Sequence, residues 1–299
     1  MKVFVLGATG FIGLPAAQAL VRAGHSVYGL ARTPEKAKQL AAEEIIPVLG
    51  DSNDPSKWEH IIADVDVVLE AVASNTELEK LSRTVQKAVA DAAVKLRPPH
   101  APKLTYIYTS GTWVHGEDRE NIVSDTTPLT KPATLVAWRP QLEQDVLANP
   151  AWNPVIVRPA LLYGRGGSLV APLFDSALQG KAIWYGTPGA RMAFIHCDDL
   201  AQLYVLIAEK AQLVGGKIFD AANDITEGTE DVLARVAKVS GAKSWELKKP
   251  SNLYEEALST TTILRPYLAR ALLGWQPRKA GFADNIEVYL NAWRANVGK

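Results

Sequence analysis

Residues Val3-Phe4-Val5-Leu6-Gly7-Ala8-Thr9-Gly10-Phe11-Ile12-Gly13 limit the folds open to this chain more than any other stretch. Four apolar residues predict a short buried strand. Three glycines then fall at intervals of three, and an amphipathic run from Leu14 to Arg22 ends at Gly24. A strand passing through a glycine turn into a helix makes a phosphate cradle, because glycine permits a tight turn and close backbone approach while the helix N-terminus offers free N–H groups and a positive dipole end. The expected guest is a dinucleotide pyrophosphate lying against Gly7, Thr9, Gly10, Phe11, Ile12 and Gly13. The spacing is G-x-x-G-x-x-G where the commoner form is G-x-G-x-x-G, but the strand before and the helix after supply the context the motif requires. The alternative is a plain strand-turn-helix whose glycines serve packing.

Composition narrows the class of partner. Lysine plus arginine and aspartate plus glutamate number 32 each, so the chain carries no electrostatic footprint for nucleic acid or an anionic membrane. A small-molecule substrate is expected. Cys197 is the single cysteine, and the five histidines have no metal-ligand spacing, which argues against a disulfide framework and a bound metal. No apolar run reaches the ~18 residues of a membrane span, and a reducing, cytoplasmic setting is expected. Oligomeric state is left open by the sequence.

Further along, Ser26 to Leu30, Ile45 to Leu49, Asp66 to Leu69, Lys103 to Tyr108, Pro154 to Val157 and Lys217 to Asp220 read as strands. Helical patterns run after Arg32-Thr33-Pro34, from Thr76 to Lys95, from Thr134 to Leu147 and from Glu230 to Val239, while Glu117 to Lys131 reads as a loop. Alternating strands and helices predict a Rossmann-type α/β fold, a doubly wound parallel sheet with ligands at the carboxyl ends of its strands. After the second strand, where an NAD site carries an acid for the ribose hydroxyl, stands Ala31-Arg32. A cation there suits the extra phosphate of NADP, so NADP is expected ahead of NAD; the plain alternative for Arg32 is a solvated surface arginine.

The stretch Gly-Ala-Thr-Gly-Phe-Ile-Gly at residues 7–13 resembles the cofactor turn of the short-chain dehydrogenase/reductase superfamily, and more narrowly its extended and atypical branch of NAD-dependent epimerases and dehydratases. The resemblance continues through Gly50-Asp51, where it implies that Asp51 reaches the adenine amino group; a turn or helix-capping role is the alternative. It places Ala71 and Val72 along the cofactor edge after the fourth strand. Thr109-Ser110-Gly111-Thr112-Trp113-Val114-His115-Gly116 resembles the serine-rich stretch ending in Val-Tyr-Gly, with His115 in the tyrosine's place. Arg158-Pro159-Ala160-Leu161-Leu162-Tyr163-Gly164 resembles the Arg-Pro-x-x-x-Tyr-Gly turn beside the nicotinamide, which implicates Pro159 and Leu162. Asp198 and Asp199 fall in a helix-capping segment, Arg191 falls where some relatives contact a substrate phosphate, and Leu273-Gly274-Trp275-Gln276-Pro277 matches a packing segment near the end.

The family's catalytic Tyr-x-x-x-Lys is missing. Alignment on Glu143 puts Arg139 at the lysine and Leu135 at the tyrosine, and none of the nine tyrosines is followed four residues later by lysine. Arg139 keeps a positive charge for cofactor or substrate but does not relay protons. Thr112, His115 and Tyr163 are therefore the candidate proton-handling residues. The implied function is an NADP-dependent oxidoreductase or epimerase-like enzyme acting on a small carbonyl or hydroxyl substrate with a non-standard proton donor. The alternative is a non-catalytic NADP(H)-binding sensor or scaffold of the same fold. Residues 1–160 are expected to form the cofactor domain and 161–299 a smaller substrate lobe, partly interleaved with it.

Overall fold

The strand Lys2–Leu6 (β1) has its last four side chains wholly buried, and it organises a sheet of seven strands. The computed structural model describes residues 1–74, 77–166 and 169–298. These form two compact units, one from Met1–Ser110, Gln141–Val157 and Leu200–Phe219, the other from Gly111–Pro140, Arg158–Asp199 and Asp220–Lys299. Where a boundary at residue 160 between partly interleaved lobes was expected, each unit is drawn from three segments, with Gly111–Pro140 in the second and Leu200–Phe219 in the first.

In the first unit, β1 is followed by α1 (Gly13–Arg22), β2 (Ser26–Ala31), α2 (Pro34–Ala42), β3 (Ile46–Leu49), β4 (Val67–Glu70), α3 (Leu78–Leu96) and β5 (Leu104–Thr109). The order across the sheet is Lys217–Ala221, Trp152–Pro159, β5, β4, β1, β2, β3. From Trp152–Pro159 to β3 the pairing is parallel throughout. Runs such as Val67-Val68-Leu69 are apolar without alternation because both faces of a parallel sheet are covered. Thr76, where the third helix was expected to start, lies outside the described residues. The chain leaves β1 toward β2 and β3, then returns to β4 on the other side of β1. The switch point of the sheet therefore falls between β1 and β4, where ligands of such sheets bind.

The second unit buries an aromatic cluster. Tyr163 lies edge-on to Phe194, Phe282 and Tyr289, with centroids 5.9, 5.5 and 4.9 Å away. Two features differ from expectation. Asp118–Val123, read as loop, is a strand paired in parallel with Thr262–Leu264; its side chains are exposed or half-exposed apart from Val123, so no apolar alternation marks it. The helix expected over 134–147 is instead a 3-10 turn, Thr134–Val136, followed by α4, Arg139–Ala148. Pro140 explains the break, since it has no N–H for the carbonyl of Val136 and its ring would strike that carbonyl; it is tolerated in the first turn of α4.

Candidate cofactor and catalytic site

Gly7 leaves β1 with φ +89°, and a Cβ there would lie 2.3 Å from the carbonyl oxygen of Ala71. A Cβ on Gly13 would lie 2.1 Å from the carbonyl oxygen of Gly7. These two glycines draw β1, the end of β4 and α1 together. Gly10 differs, because its Cβ would meet only the oxygen of Gly7, at 3.2 Å. The N-terminus of α1 has no side-chain cap and no acid in its first turn. In α2, by contrast, Thr33 Oγ1 accepts from the Lys36 N–H at 3.3 Å and Glu35 follows. The positive end of α1 thus has neither a side-chain cap nor an acid in its first turn, at the switch point, beside Gly10, whose Cβ would fit only tightly against Gly7 O. This is the donor set a pyrophosphate requires.

Arg32, just past β2, is exposed and makes no ion pair or side-chain hydrogen bond among the described residues. Asp51 Oδ1 accepts from the Asn53 backbone N–H at 2.8 Å and from Asn53 Nδ2 at 3.1 Å, an Asx-type turn. Ala71 is buried and Val72 half-buried directly after β4. Glu70 at the end of β4 is buried, accepting from Tyr106 Oη and, at 3.3 Å, from Gln86 Nε2. Burial, reinforced by the Glu70 charge, pushes the Tyr106 hydroxyl well above the usual phenol range. At the end of β5, Thr109 Oγ1 lies 2.8 Å from Tyr204 Oη. The Ser110 N–H donates to Val157 O at 2.7 Å, while its Oγ is buried with no hydrogen-bond partner among the described residues.

The second unit holds the remaining candidates. Thr112–His115 forms a 3-10 turn in which Thr112, Val114 and His115 are buried. His115 Nε2 lies 2.8 Å from Asp220 Oδ2, the two side chains being 1% and 0% exposed. Asp220 Oδ1 faces Arg158 Nη1 at 3.8 Å, and the Asp220 N–H donates to Asp125 Oδ1 at 2.8 Å. Asp125 Oδ2 in turn accepts from the N–H groups of Tyr267 and Leu268 at 2.8 and 3.2 Å. Burial holds the Asp125 carboxyl above the usual range, opposed by these N–H bonds and supported by the Asp220 charge.

Tyr163 sits differently. Its hydroxyl donates to Ala280 O at 2.8 Å and accepts from Asn223 Nδ2 at 3.1 Å, within the aromatic cluster. Burial pushes its pKa far up. Leu162 is buried beside it, and Pro159 ends the strand Trp152–Pro159. Arg139 opens α4 with its guanidinium 4.7 Å from the Trp138 ring centroid. Leu135 belongs to the preceding 3-10 turn, so the two are not successive positions on one α-helical face. Arg191, exposed, donates from Nε to Thr226 Oγ1 at 2.9 Å and from Nη2 to Thr226 O. Trp275 Nε1 donates to Asp199 O at 2.9 Å, in keeping with a packing role.

Asp220 escaped sequence reading, where it was only the last residue of a strand. A carboxylate following Ile218-Phe219 at the end of a strand was the available signal. One group, His196, Cys197 and Asp198, has its ligand atoms within 4.8 Å of one another. Asp198 is already neutralised by Arg165 Nη2 at 2.7 Å and Lys279 Nζ at 3.2 Å, and burial pushes the Cys197 thiol up to about 12. Two cations and a protonated thiol make a poor set for a metal ion. Among the described residues no helix is long and apolar enough to cross a membrane.

The sequence profile described as "NAD dependent epimerase/dehydratase family" matches residues 3–222. An uncharacterised protein of Schizosaccharomyces pombe is 25% identical over 290 residues, covering 93% of this chain and 95% of that one. The 4-hydroxy-2-methyl-3-oxo-4-farnesyl-3,4-dihydroquinoline-1-oxide ketoreductase of Stigmatella aurantiaca is 25% identical, covering 97% and 86%. The fold is shared with the dTDP-glucose 4,6-dehydratase DesIV of Streptomyces venezuelae, solved as a double mutant with NAD bound, at a TM-score of 0.82, 18% identity and coverage of 100% and 98%.

Proposed function

The chain belongs to the NAD dependent epimerase/dehydratase family, and from that premise we propose that it is an NADP(H)-dependent oxidoreductase or epimerase-like enzyme. Its substrate is a small molecule with a carbonyl or hydroxyl group, and its proton donor is not a Tyr-x-x-x-Lys pair. The observation that carries this reading is the uncapped N-terminus of α1 at the sheet's switch point, next to Gly10, whose Cβ would meet only Gly7 O at 3.2 Å. Exposed Arg32 at the end of β2 supports NADP over NAD, because a guanidinium pairs with the 2′-phosphate where a carboxylate would repel it.

On this reading the backbone of Gly7, Thr9, Gly10, Phe11, Ile12 and Gly13 receives the pyrophosphate, Arg32 the 2′-phosphate and Asp51 the adenine. Ala71, Val72, Thr109 and Ser110 border the nicotinamide end, while the roles of Pro159, Leu162 and Arg139 in the second unit rest on the family resemblance. When bound, the nicotinamide supplies or accepts a hydride, and the protein must move the matching proton. A phenol near pKa ~10 needs a neighbouring cation to do so at neutrality, and Tyr163 is instead pushed further up by burial. Ketoreductase activity in one relative supports the carbonyl substrate class.

Calorimetric titration with NADPH and NADH, followed by an NADPH oxidation screen against ketones, aldehydes and nucleotide sugars, tests the proposal. Tighter NADPH binding and oxidation with at least one carbonyl compound are expected. Binding without oxidation would make the protein a sensor or scaffold, and a preference for NADH would remove the role given to Arg32.

A further inference from the structure

Within the second unit, the strand Lys181–Tyr185 pairs in parallel with Ser244–Lys248, and among the described residues these two strands are the whole of their sheet. Ser244–Lys248 therefore has one edge paired and the other open. The open edge of the main sheet, β3, is interrupted by Pro47, which has no N–H to offer an incoming strand. Ser244–Lys248 contains no proline, and Trp245 on it is 38% exposed. Lys248 O accepts from the Gly186 N–H at 2.9 Å, so the backbone groups of Lys248 face the paired edge, and by alternation those of Glu246 do too. The backbone groups of Trp245 and Leu247 face the open edge. Leu247 packs against the buried cluster of this unit. Trp245 lies on the same face of the strand, and Glu246 and Lys248 lie on the other. Lys181 Nζ stands 2.5 Å from Glu246 Oε2 and holds that carboxyl below the usual range, and a carboxylate has a second oxygen to offer.

We propose that two copies of this chain associate through Ser244–Lys248, the two strands pairing antiparallel about a two-fold axis at Leu247. The two short sheets then join into one of four strands. The partner is a second copy because the strand is complementary to itself. With the axis at Leu247, the outward N–H and C=O groups of the two Leu247 residues bond each other. Glu246 then falls opposite Lys248 of the other copy, and the symmetry makes this pair twice. These are the non-hydrogen-bonded positions, where facing side chains come closest. Opposite charges there stabilise the pairing and like charges oppose it. Moving the axis by one residue would set Glu246 against Glu246 or Lys248 against Lys248, so charge selects the register as well as the partner. The added strand covers the edge at which Trp245 is exposed. This inference is independent of the cofactor reading.

Sedimentation velocity of the full-length protein tests this, with thermal melting measured for every variant. The wild type should form dimers as its concentration rises to about 100 μM. Glu246→Lys and Lys248→Glu each set like charges across the axis twice, and each should weaken association about 10-fold or more. An equal mixture of the two variants should recover it, because both cross-strand pairs of the mixed dimer are again of opposite sign. A wild type that stays monomeric over that range overturns the proposal. So does a dimer that either folded variant leaves intact, or a mixture that associates no better than its components. Should a charge variant fail to fold, Glu246→Cys mixed with Lys248→Cys serves instead. Facing residues at such positions have Cα atoms about 4.5 Å apart, within reach of a disulfide, and the native Cys197 is buried. Oxidation of the mixture with diamide should give more covalent dimer on a non-reducing gel than either variant gives alone. Equal or absent cross-linking overturns the proposal.

Discussion

A Cβ on Gly7 would stand 2.3 Å from the carbonyl oxygen of Ala71, so the first residue after β1 and the first after β4 approach as closely as two backbones can. Gly7 also has φ +89°, a conformation that L side chains rarely adopt. Gly10, three residues on, has no left-handed φ and a milder approach, its Cβ meeting Gly7 O at 3.2 Å, although it belongs to the same motif. The two glycines therefore test different things, Gly7 the fold and Gly10 the proposed phosphate cradle.

Gly7→Ala is expected to lower stability by about 1–3 kcal/mol or more, from backbone strain alone. Gly10→Val should lower the melting temperature less than Gly7→Ala does, its Cβ meeting Gly7 O at 3.2 Å, and abolish NADPH binding, since the added side chain would project where the pyrophosphate is proposed to lie. Thermal melts and calorimetric titration of both variants check this. Normal NADPH affinity in Gly10→Val would show that the turn is not a phosphate cradle.

Arg32 offers the sharpest measure of cofactor choice, because no other side chain among the described residues holds it in place. Arg32→Asp should weaken NADPH binding by about 1.5–3 kcal/mol, the range for a charge-assisted hydrogen bond, and leave NADH binding the same or tighter. An equal loss for both cofactors would assign Arg32 a general role in binding and not the recognition of a 2′-phosphate.

What the sequence made legible and what it hid follow from the range of the interactions. The β1 turn, the parallel strands through β5 and the cation after β2 are local patterns, and a few adjacent residues determine each. The pairing of Asp118–Val123 with Thr262–Leu264 is not local, and the polar side chains of the first strand carry no period from which to read it. His115 stood out because it replaced a tyrosine in a recognisable segment. Its partner Asp220 lies 105 residues away, and no spacing rule links them. The continuous helix over 134–147 was read from its helical pattern and Glu143 was then aligned with the family's, while Pro140 was a local signal pointing the other way and prevailed.

Tyr163 remains inviting on sequence alone, as the tyrosine of the turn assigned to the nicotinamide side. Its two hydrogen bonds, to Ala280 O and from Asn223 Nδ2, are those of a hydroxyl tying the aromatic cluster together. Tyr163→Phe should lower stability by about 1–3 kcal/mol through the unsatisfied buried partners and keep most of the turnover per folded molecule. Urea unfolding and the NADPH oxidation assay on the same preparation measure both. A near-normal stability with turnover lost would return the proton-donor role to this phenol.

Asp198 provides a stability signal whose sign is fixed. Burial raises its pKa, but Arg165, His196 and Lys279 together outweigh burial and hold the carboxyl below the usual 3.8. A carboxylate with a lowered folded pKa contributes stability that is fully present above its unfolded pKa and is lost as pH falls through the folded value. Asp198→Asn should therefore cost about 1 kcal/mol near neutrality, a modest figure because the side chain is 27% exposed and partly screened. The difference from wild type should shrink as both are unfolded at progressively lower pH, and nearly vanish once Asp198 is protonated in both states. Urea unfolding across that range gives the answer. A gap that stays constant from neutrality into acid would mean that the substituted amide loses hydrogen-bond geometry with Arg165, and that the charge of Asp198 itself contributes nothing.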